Sequence, residues 1–258
     1  MFVHLLPMGA VMLLGGAYAS RRRSRHQFAS PRTDKLPDSP FVPRPLLEAG
    51  YAAISRIGRG AARIGLSANL CTALSIVLGL VAACVVGSGQ LVAGGLLLLF
   101  SSSFDTLDGI IARETGTASD AGELLDAAAD RLNDAAAFLG LAYYYRNDLL
   151  GFVLVCVALV GSLLVSYVRA KGEAMQVECA VGWMQRHERI IWLGLGLLLG
   201  PAAAHWLEPD AVTPHYHVLL MILAIIGFFS LFTAIQRTRL VYQALVARRD
   251  STRKARPA

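Results

Sequence analysis

Six stretches of this chain are apolar for close to the length that a helix needs to cross a bilayer. They cover about 69–86, 91 to the acidic stretch beginning at 105, 122–145, 149–168, 190–205 and 218–235. A chain that alternates such runs with short polar breaks has few folds open to it. In lipid every backbone N–H and C=O must be satisfied within the segment, which leaves helices or a closed barrel, and runs of this length are helices. The expected fold is therefore an all-α integral membrane protein, a bundle of six transmembrane helices. Composition agrees: 55% of the 258 residues are hydrophobic and 16% are charged, with a mean hydropathy of +0.52, which excludes a disordered chain. The net charge of +6 would also fit a nucleic-acid binder. Here, however, the basic residues flank apolar runs, as expected beside an anionic membrane surface, and no nucleic-acid partner is expected. The four cysteines, Cys71, Cys84, Cys156 and Cys179, have no metal-ligand or disulfide spacing. Those in apolar runs read as small core residues.

The ends divide as follows. Residues 1–25 form a hydrophobic segment with a basic stop at Arg21, Arg22, Arg23 and Arg25. That charge order is reversed for export, so the segment reads as an extra membrane span with its N-terminus outside. Residues 26–66 are a proline-bearing linker followed by an amphipathic helix over 45–66. Leu46, Leu47, Tyr51, Ile54, Ile57, Ala61 and Ile64 recur there at helical spacing, with Arg56, Arg59 and Arg63 between them, so the helix is expected to lie on the membrane surface. Residues 67–240 make the membrane domain and 241–258 a basic tail. Placing the acidic stretch in the cytoplasm puts almost every flanking arginine inside and leaves only Arg146 in the outer loops. That asymmetry fixes a multi-pass protein of the cell membrane, with both ends of the six-helix unit in the cytoplasm.

Eight of the 18 acidic residues lie between Asp105 and Asp134, at the ends of two apolar segments. Ionisable groups are costly at membrane depth, so such a cluster marks a functional site. At about 100° per residue, Asp105, Asp108, Gly109, Ala112 and Arg113 share an arc of roughly 140° on one helix. Gly122, Asp126 and Asp130 repeat every fourth residue on the next. A short connection over 114–121 lets the two helices run antiparallel with these faces opposed. Four carboxylates gathered there repel one another unless a cation sits among them, and oxygen ligands favour Mg²⁺, Mn²⁺ or Ca²⁺ over Zn²⁺. Small residues at 109, 112 and 122 leave room beside the acids, and Arg113 adds a fixed positive charge. Acid, metal, space and cation together point to a pyrophosphate site.

The stretch resembles the signature of the CDP-alcohol phosphotransferase family, Asp-x2-Asp-Gly-x2-Ala-Arg-x8-Gly-x3-Asp-x3-Asp. Asp105, Asp108, Gly109, Ala112, Arg113, Gly122, Asp126 and Asp130 match every fixed position. The resemblance extends over about 67–239 and is nearest to bacterial and archaeal phosphatidylinositol-phosphate synthases. Those carry Ser-Tyr-x-Lys-Ala-Arg-x-Glu and Arg-Pro-Glu-Arg, where this chain has Ser166-Tyr-Val-Arg169-Ala-Lys171-Gly-Glu173 and Arg186-His187-Glu188-Arg189. Lysine and arginine are thus exchanged at 169 and 171, and His187 stands in place of proline. Family members often carry Pro-Asn-x2-Thr before the first segment; this chain keeps Asn69 and Thr72 but has Ala68. Capping of the helix by Ser67 or Asn69 is an equally good reading of those residues.

The resemblance implies displacement of CMP from CDP-diacylglycerol by an acceptor hydroxyl. It implies two Mg²⁺ or Mn²⁺ ions held by Asp105, Asp108 and Asp126, with Asp130 as general base and a possible further metal ligand. Asn69, Thr72, Asp105, Gly109, Ala112, Arg113 and Gly122 would contact the CDP donor. Arg169, Lys171, Arg186, Arg189 and Arg237 would gather at the inner helix ends and bind a phosphorylated acceptor, myo-inositol 1-phosphate being favoured. Glycerol 3-phosphate, serine or another alcohol are the alternatives within the family, and a homodimer is implied by the resemblance alone. From another class, the acids could serve a cation transporter, which would instead place charge near mid-membrane and show inverted repeats.

Overall fold

The computed structural model describes residues 44–179, 181–209 and 214–254. The expected span within 1–25, and the linker as far as residue 43, lie outside them. The chain divides into two compact units, 1–53 and 54–258. Seven helices are described: α1 (Arg44–Arg63), α2 (Ala68–Gly87), α3 (Leu91–Glu114), α4 (Asp120–Tyr144), α5 (Leu149–Ala174), α6 (Arg186–Leu207) and α7 (His217–Lys254). No strand occurs among the described residues.

Local chemistry sets the boundaries. Ser67 caps α2 by accepting the Leu70 N–H at 3.3 Å, Ser119 caps α4 through Gly122 at 3.2 Å, and Asp148 caps α5 through Leu150 at 3.1 Å. A capping box of Gln185 and Glu188 opens α6. The sixth apolar run, expected to stop near residue 235, continues as helix to Lys254, because good helix formers follow it and neither glycine nor proline interrupts. The boundary expected at 240 therefore falls inside α7.

Within the second unit the helices close a ring. α2 packs on α3 and on α4, α3 on α6, α6 on α7, α7 on α5, and α5 back on α4. The acid-bearing helices α3 and α4 barely touch. This differs from a simple antiparallel hairpin. Both helices lean on α2, so a gap separates the two acidic faces. Close approach is built with glycine. A Cβ on Gly140 would stand 2.4 Å from the carbonyl oxygen of Ala83, which brings α4 against the backbone of α2.

Five helices, α2, α3, α5, α6 and α7, are long and apolar enough to span a membrane. The sixth expected span is present as the continuous helix α4, but Asp120, Glu123, Asp126, Asp130, Arg131 and Asp134 make its first half too polar to qualify. The outward faces carry Val77, Leu96, Phe100, Leu139, Val160, Leu199 and Phe228, all at least half exposed. Apolar surface of that extent is not stable in water and is matched by lipid. Cys71 and Cys179 are buried, whereas Cys84 lies on the outward face and is not a core residue.

The second half of α1 differs from a helix lying only on lipid. Ile54, Ala61 and Ala62 pack against a core of Cys71, Leu107 and Ile111, while Ile57 and Ile64 remain exposed beside Arg56, Arg59 and Arg63. At the opposite end of the bundle, Glu208 ties the turn between α6 and α7. Burial alone would raise its carboxyl, but the amides of His217 and His215 and the His217 ring outweigh this and hold it below the usual range.

Gly140→Ala is expected to lower the unfolding temperature in detergent, since the new methyl meets backbone and no rotamer change relieves it. A loss of about 1–3 kcal/mol, typical of overpacking, should exceed the gain in helix propensity of about 1 kcal/mol.

Candidate active site

Asp105 and Asp108 lie in the second half of α3 and are almost fully buried, at 8% and 4% exposure. Asp126 and Asp130 face them from the first turns of α4 and are half-buried. One carboxylate oxygen from each of Asp105, Asp126 and Asp130 falls within a set whose members all lie within 4.8 Å of one another. The gap left by the ring of helices is therefore narrow at this end, and three acids close it.

The fourth acid stands apart from that trio. Asp108 Oδ2 accepts the Thr72 hydroxyl at 2.6 Å, and its Oδ1 accepts the Gly109 N–H at 2.5 Å. Thr72 thus reaches from α2 to orient Asp108 on α3. Asn69 is exposed at the start of α2, where Ser67 and not Asn69 makes the cap. Ala112 is half-buried on α3, and the Arg113 guanidinium folds back over Gly109, where a Cβ would meet it at 3.3 Å. Gly122 is the N–H donor to the cap of α4.

Positive charge enters from α6. Arg186 Nη1 donates to Asp105 Oδ2 at 2.6 Å and stands 2.7 Å from Asp130 Oδ1 as an ion pair without hydrogen-bond geometry. Its Nε lies 3.6 Å from Asp134 Oδ1. Arg189, 2% exposed, gives Nη2 to Asp134 Oδ2 at 2.9 Å and to Ser166 Oγ at 3.3 Å, and Nη1 to the Met184 carbonyl at 3.3 Å. Asp134 was not singled out by the sequence reading. The signal was there, because Gly122, Asp126, Asp130 and Asp134 continue one stripe at four-residue spacing.

The five basic residues expected to gather do not play equivalent parts. Arg186 sits among the acids. Arg189 and Arg237 are buried and engaged by protein groups, Arg237 donating to the carbonyls of Val181 at 2.7 Å and Val165 at 3.0 Å. Arg169 is exposed and pairs with Glu173 at 2.9 Å, and Lys171 is exposed. Arg237 therefore works on the loop between α5 and α6. Thr233 accepts the N–H groups of Trp183 and Met184 in the same loop, and Arg248 donates to the carbonyls of Met175 and Gln176. The long α7 hangs this loop and so fixes the entry of Arg186 and Arg189.

The donor set fits a hard divalent cation. It is all oxygen, it brings three carboxylates from two helices together, and Asp105 Oδ1 and Asp130 Oδ1 are buried without a hydrogen bond. Thr72→Val, which keeps the shape but removes the donor to Asp108, is expected to weaken Mn²⁺ binding about tenfold, and Thr72→Ser to restore it. Equilibrium binding followed by the Mn²⁺ resonance signal checks both.

Comparison with known proteins agrees with this arrangement. The family model described as CDP-alcohol phosphatidyltransferase matches residues 66–230. Archaetidylinositol phosphate synthase of Methanothermobacter thermautotrophicus is 35% identical over 183 residues, covering 71% of this chain and 87% of the relative. Phosphatidylinositol phosphate synthase of Mycobacterium tuberculosis is 34% identical over 157 residues, covering 59% of this chain and 70% of the relative. The crystal structure of the Mycobacterium tuberculosis enzyme with CDP-DAG bound superposes with a TM-score of 0.62 at 28% identity, covering 73% of this chain and 93% of that one. Its complex with manganese and citrate gives 0.63 at 29% identity, covering 73% and 88%.

Proposed function

The chain belongs to the CDP-alcohol phosphatidyltransferase family, as a multi-pass membrane transferase, and from that premise we propose that it makes a phosphatidylinositol phosphate. The donor is CDP-diacylglycerol and the favoured acceptor is myo-inositol 1-phosphate. The acceptor hydroxyl oxygen bonds to the lipid-linked phosphorus, the bond from that phosphorus to the oxygen of the CMP phosphate breaks, and the hydroxyl proton passes to a carboxylate. The observation that carries the reading is the convergence of Asp105, Asp126 and Asp130 with Arg186 at one end of an apolar bundle.

The roles follow from position. Asp105, Asp108, Asp126 and Asp130 would hold two Mg²⁺ or Mn²⁺ ions, which when bound polarise the pyrophosphate and offset charge on the departing CMP. Asp130, less buried than Asp105, is assigned as the general base that takes the acceptor proton. Arg113 over Gly109, with Asn69, Ala112 and Gly122, would line the donor side. Exposed Arg169 and Lys171, together with Arg186, supply charge for a phosphate monoester, while Arg189 and Arg237 support them from beneath. A neutral alcohol needs no such set. On this reading the acidic end faces the cytoplasm, because the arginine-rich loops share that end, and the enzyme acts as a homodimer, as the resemblance implies.

Purified protein should release CMP from CDP-diacylglycerol only with a divalent cation and an acceptor, and EDTA should abolish turnover. Asp105→Asn and Asp126→Asn should each remove most of it. Asp130→Asn should keep donor binding and lower turnover by about 10²–10⁴-fold, the usual contribution of a general base.

In an acceptor panel, inositol 1-phosphate should outcompete free inositol and serine. Arg169→Ala should raise its KM by about one to two decades and leave that of the donor nearly unchanged. Preference for free inositol or serine, with Arg169→Ala silent, would overturn the acceptor assignment.

A further inference from the structure

One positive group stands inside the carboxylate cluster, and it belongs to the protein. Arg186 Nη1 lies 2.6 Å from Asp105 Oδ2 and 2.7 Å from Asp130 Oδ1, so a single nitrogen bridges α3 and α4 where the two helices barely touch. These are two of the three acids whose oxygens converge on one point. The same guanidinium has a second anchor behind it, Asp134, 3.6 Å from Nε. Asp134 is buried and is held by Arg189 on its other oxygen at 2.9 Å.

We propose that Arg186 is a built-in competitor of the divalent cation: it neutralises Asp105 and Asp130 while the metal is away and yields them when metal binds, swinging about its hold on Asp134. The proposal rests on the metal reading given above and deepens it. A guanidinium and a metal ion draw on the same two carboxylates, and both cannot satisfy them fully. Without any cation the cluster would leave several carboxylates close together in a poorly solvated place, which is strongly unfavourable. Arg186 removes that penalty from the metal-free protein and so protects its fold. The necessary consequence is weaker metal binding, since the ion must displace an existing partner.

Asp134 makes the exchange possible. An arginine forced out of the cluster with nowhere to go would be a buried, uncompensated charge. Nε already faces Asp134, so loss of the Nη1 contacts leaves the guanidinium beside an acid and sets Nη1 free. Metal binding would thereby release one arginine donor for a phosphate monoester. Cation and phosphorylated acceptor then bind with positive coupling, which must be reciprocal.

The test measures Mn²⁺ binding directly, by the resonance signal of free Mn²⁺, on purified full-length protein without nucleotide or acceptor. Arg186→Gln is expected to bind Mn²⁺ about ten- to a hundredfold more tightly than the native protein, matching the loss of one charged contact. It is also expected to unfold at lower temperature in EDTA and to regain stability when Mn²⁺ is added.

Arg186→Lys keeps the charge but lacks the fork that reaches both sites, and should fall between the two. If Arg186→Gln does not fold, tighter Mn²⁺ binding by Arg186→Lys carries the test. Equal or weaker Mn²⁺ binding in the folded variants overturns the competitor role while leaving the metal site intact. Failure of native protein and variants alike to bind Mn²⁺ overturns the metal reading and this inference together.

Discussion

Carboxylates gathered at the end of an apolar bundle have to be compensated, and the rest of this structure follows from how that is done. Taking an ion out of water costs several kcal/mol even after relaxation. Here Asp105, Asp108, Asp126, Asp130 and Asp134 come from only two helices. Side-chain hydrogen bonds and ion pairs to these acids arrive from outside those helices, through the Thr72 hydroxyl of α2 and the guanidinium groups of Arg186 and Arg189 on α6. The acids therefore need a third and a fourth helix to be stable where they are. The ring supplies these by seating α2 against both acidic helices and α6 against α3.

The same ring explains why the site is a gap. If α3 and α4 packed as a tight hairpin, their acidic faces would touch and neither metal nor substrate could enter. Leaning both on α2, through contacts as close as Gly140 against Ala83, keeps them aligned but apart. α7 then has a task that its apolar half does not reveal. Its continuation beyond the last apolar turn carries Arg237 and Arg248 to the carbonyls of the 175–185 loop, and Thr233 accepts two amides from that loop. The loop is thereby fixed, and with it the first turn of α6.

This division accounts for what could be read from the sequence. Helix spans and the acidic signature are local patterns, set by run length and by three- and four-residue spacing, so they were legible without a structure. Family membership was legible for the same reason. Asp134 continued the visible stripe yet was passed over, because the signature ends one turn earlier. The separate fates of the five basic residues were not legible at all. Whether an arginine lies at a surface or donates to a carbonyl fifty residues away depends on tertiary packing, which spacing does not encode. The two places where proline was expected become intelligible in three dimensions. Ala68 and His187 occupy the first turns of α2 and α6, just after the caps Ser67 and Gln185. Proline is favoured there because those N–H groups have no helical partner, so its replacement breaks no backbone hydrogen bond.

Arginine at 189 and 186 is then a requirement of geometry and not only of charge. Arg189 serves Asp134, Ser166 and the Met184 carbonyl at once, joining α4, α5 and the loop before α6 through one planar group. A lysine offers a single point of charge and could not hold three elements in fixed directions. Arg186 uses the same fork differently, with one nitrogen between Asp105 and Asp130 and another towards Asp134. At 169 and 171 the demand is weaker, because those side chains are exposed and Arg169 pairs with Glu173 one turn away. That is where this chain exchanges lysine and arginine relative to the pattern it resembles. The exchange sits at exposed side chains, and the arginines stay where a direction is needed.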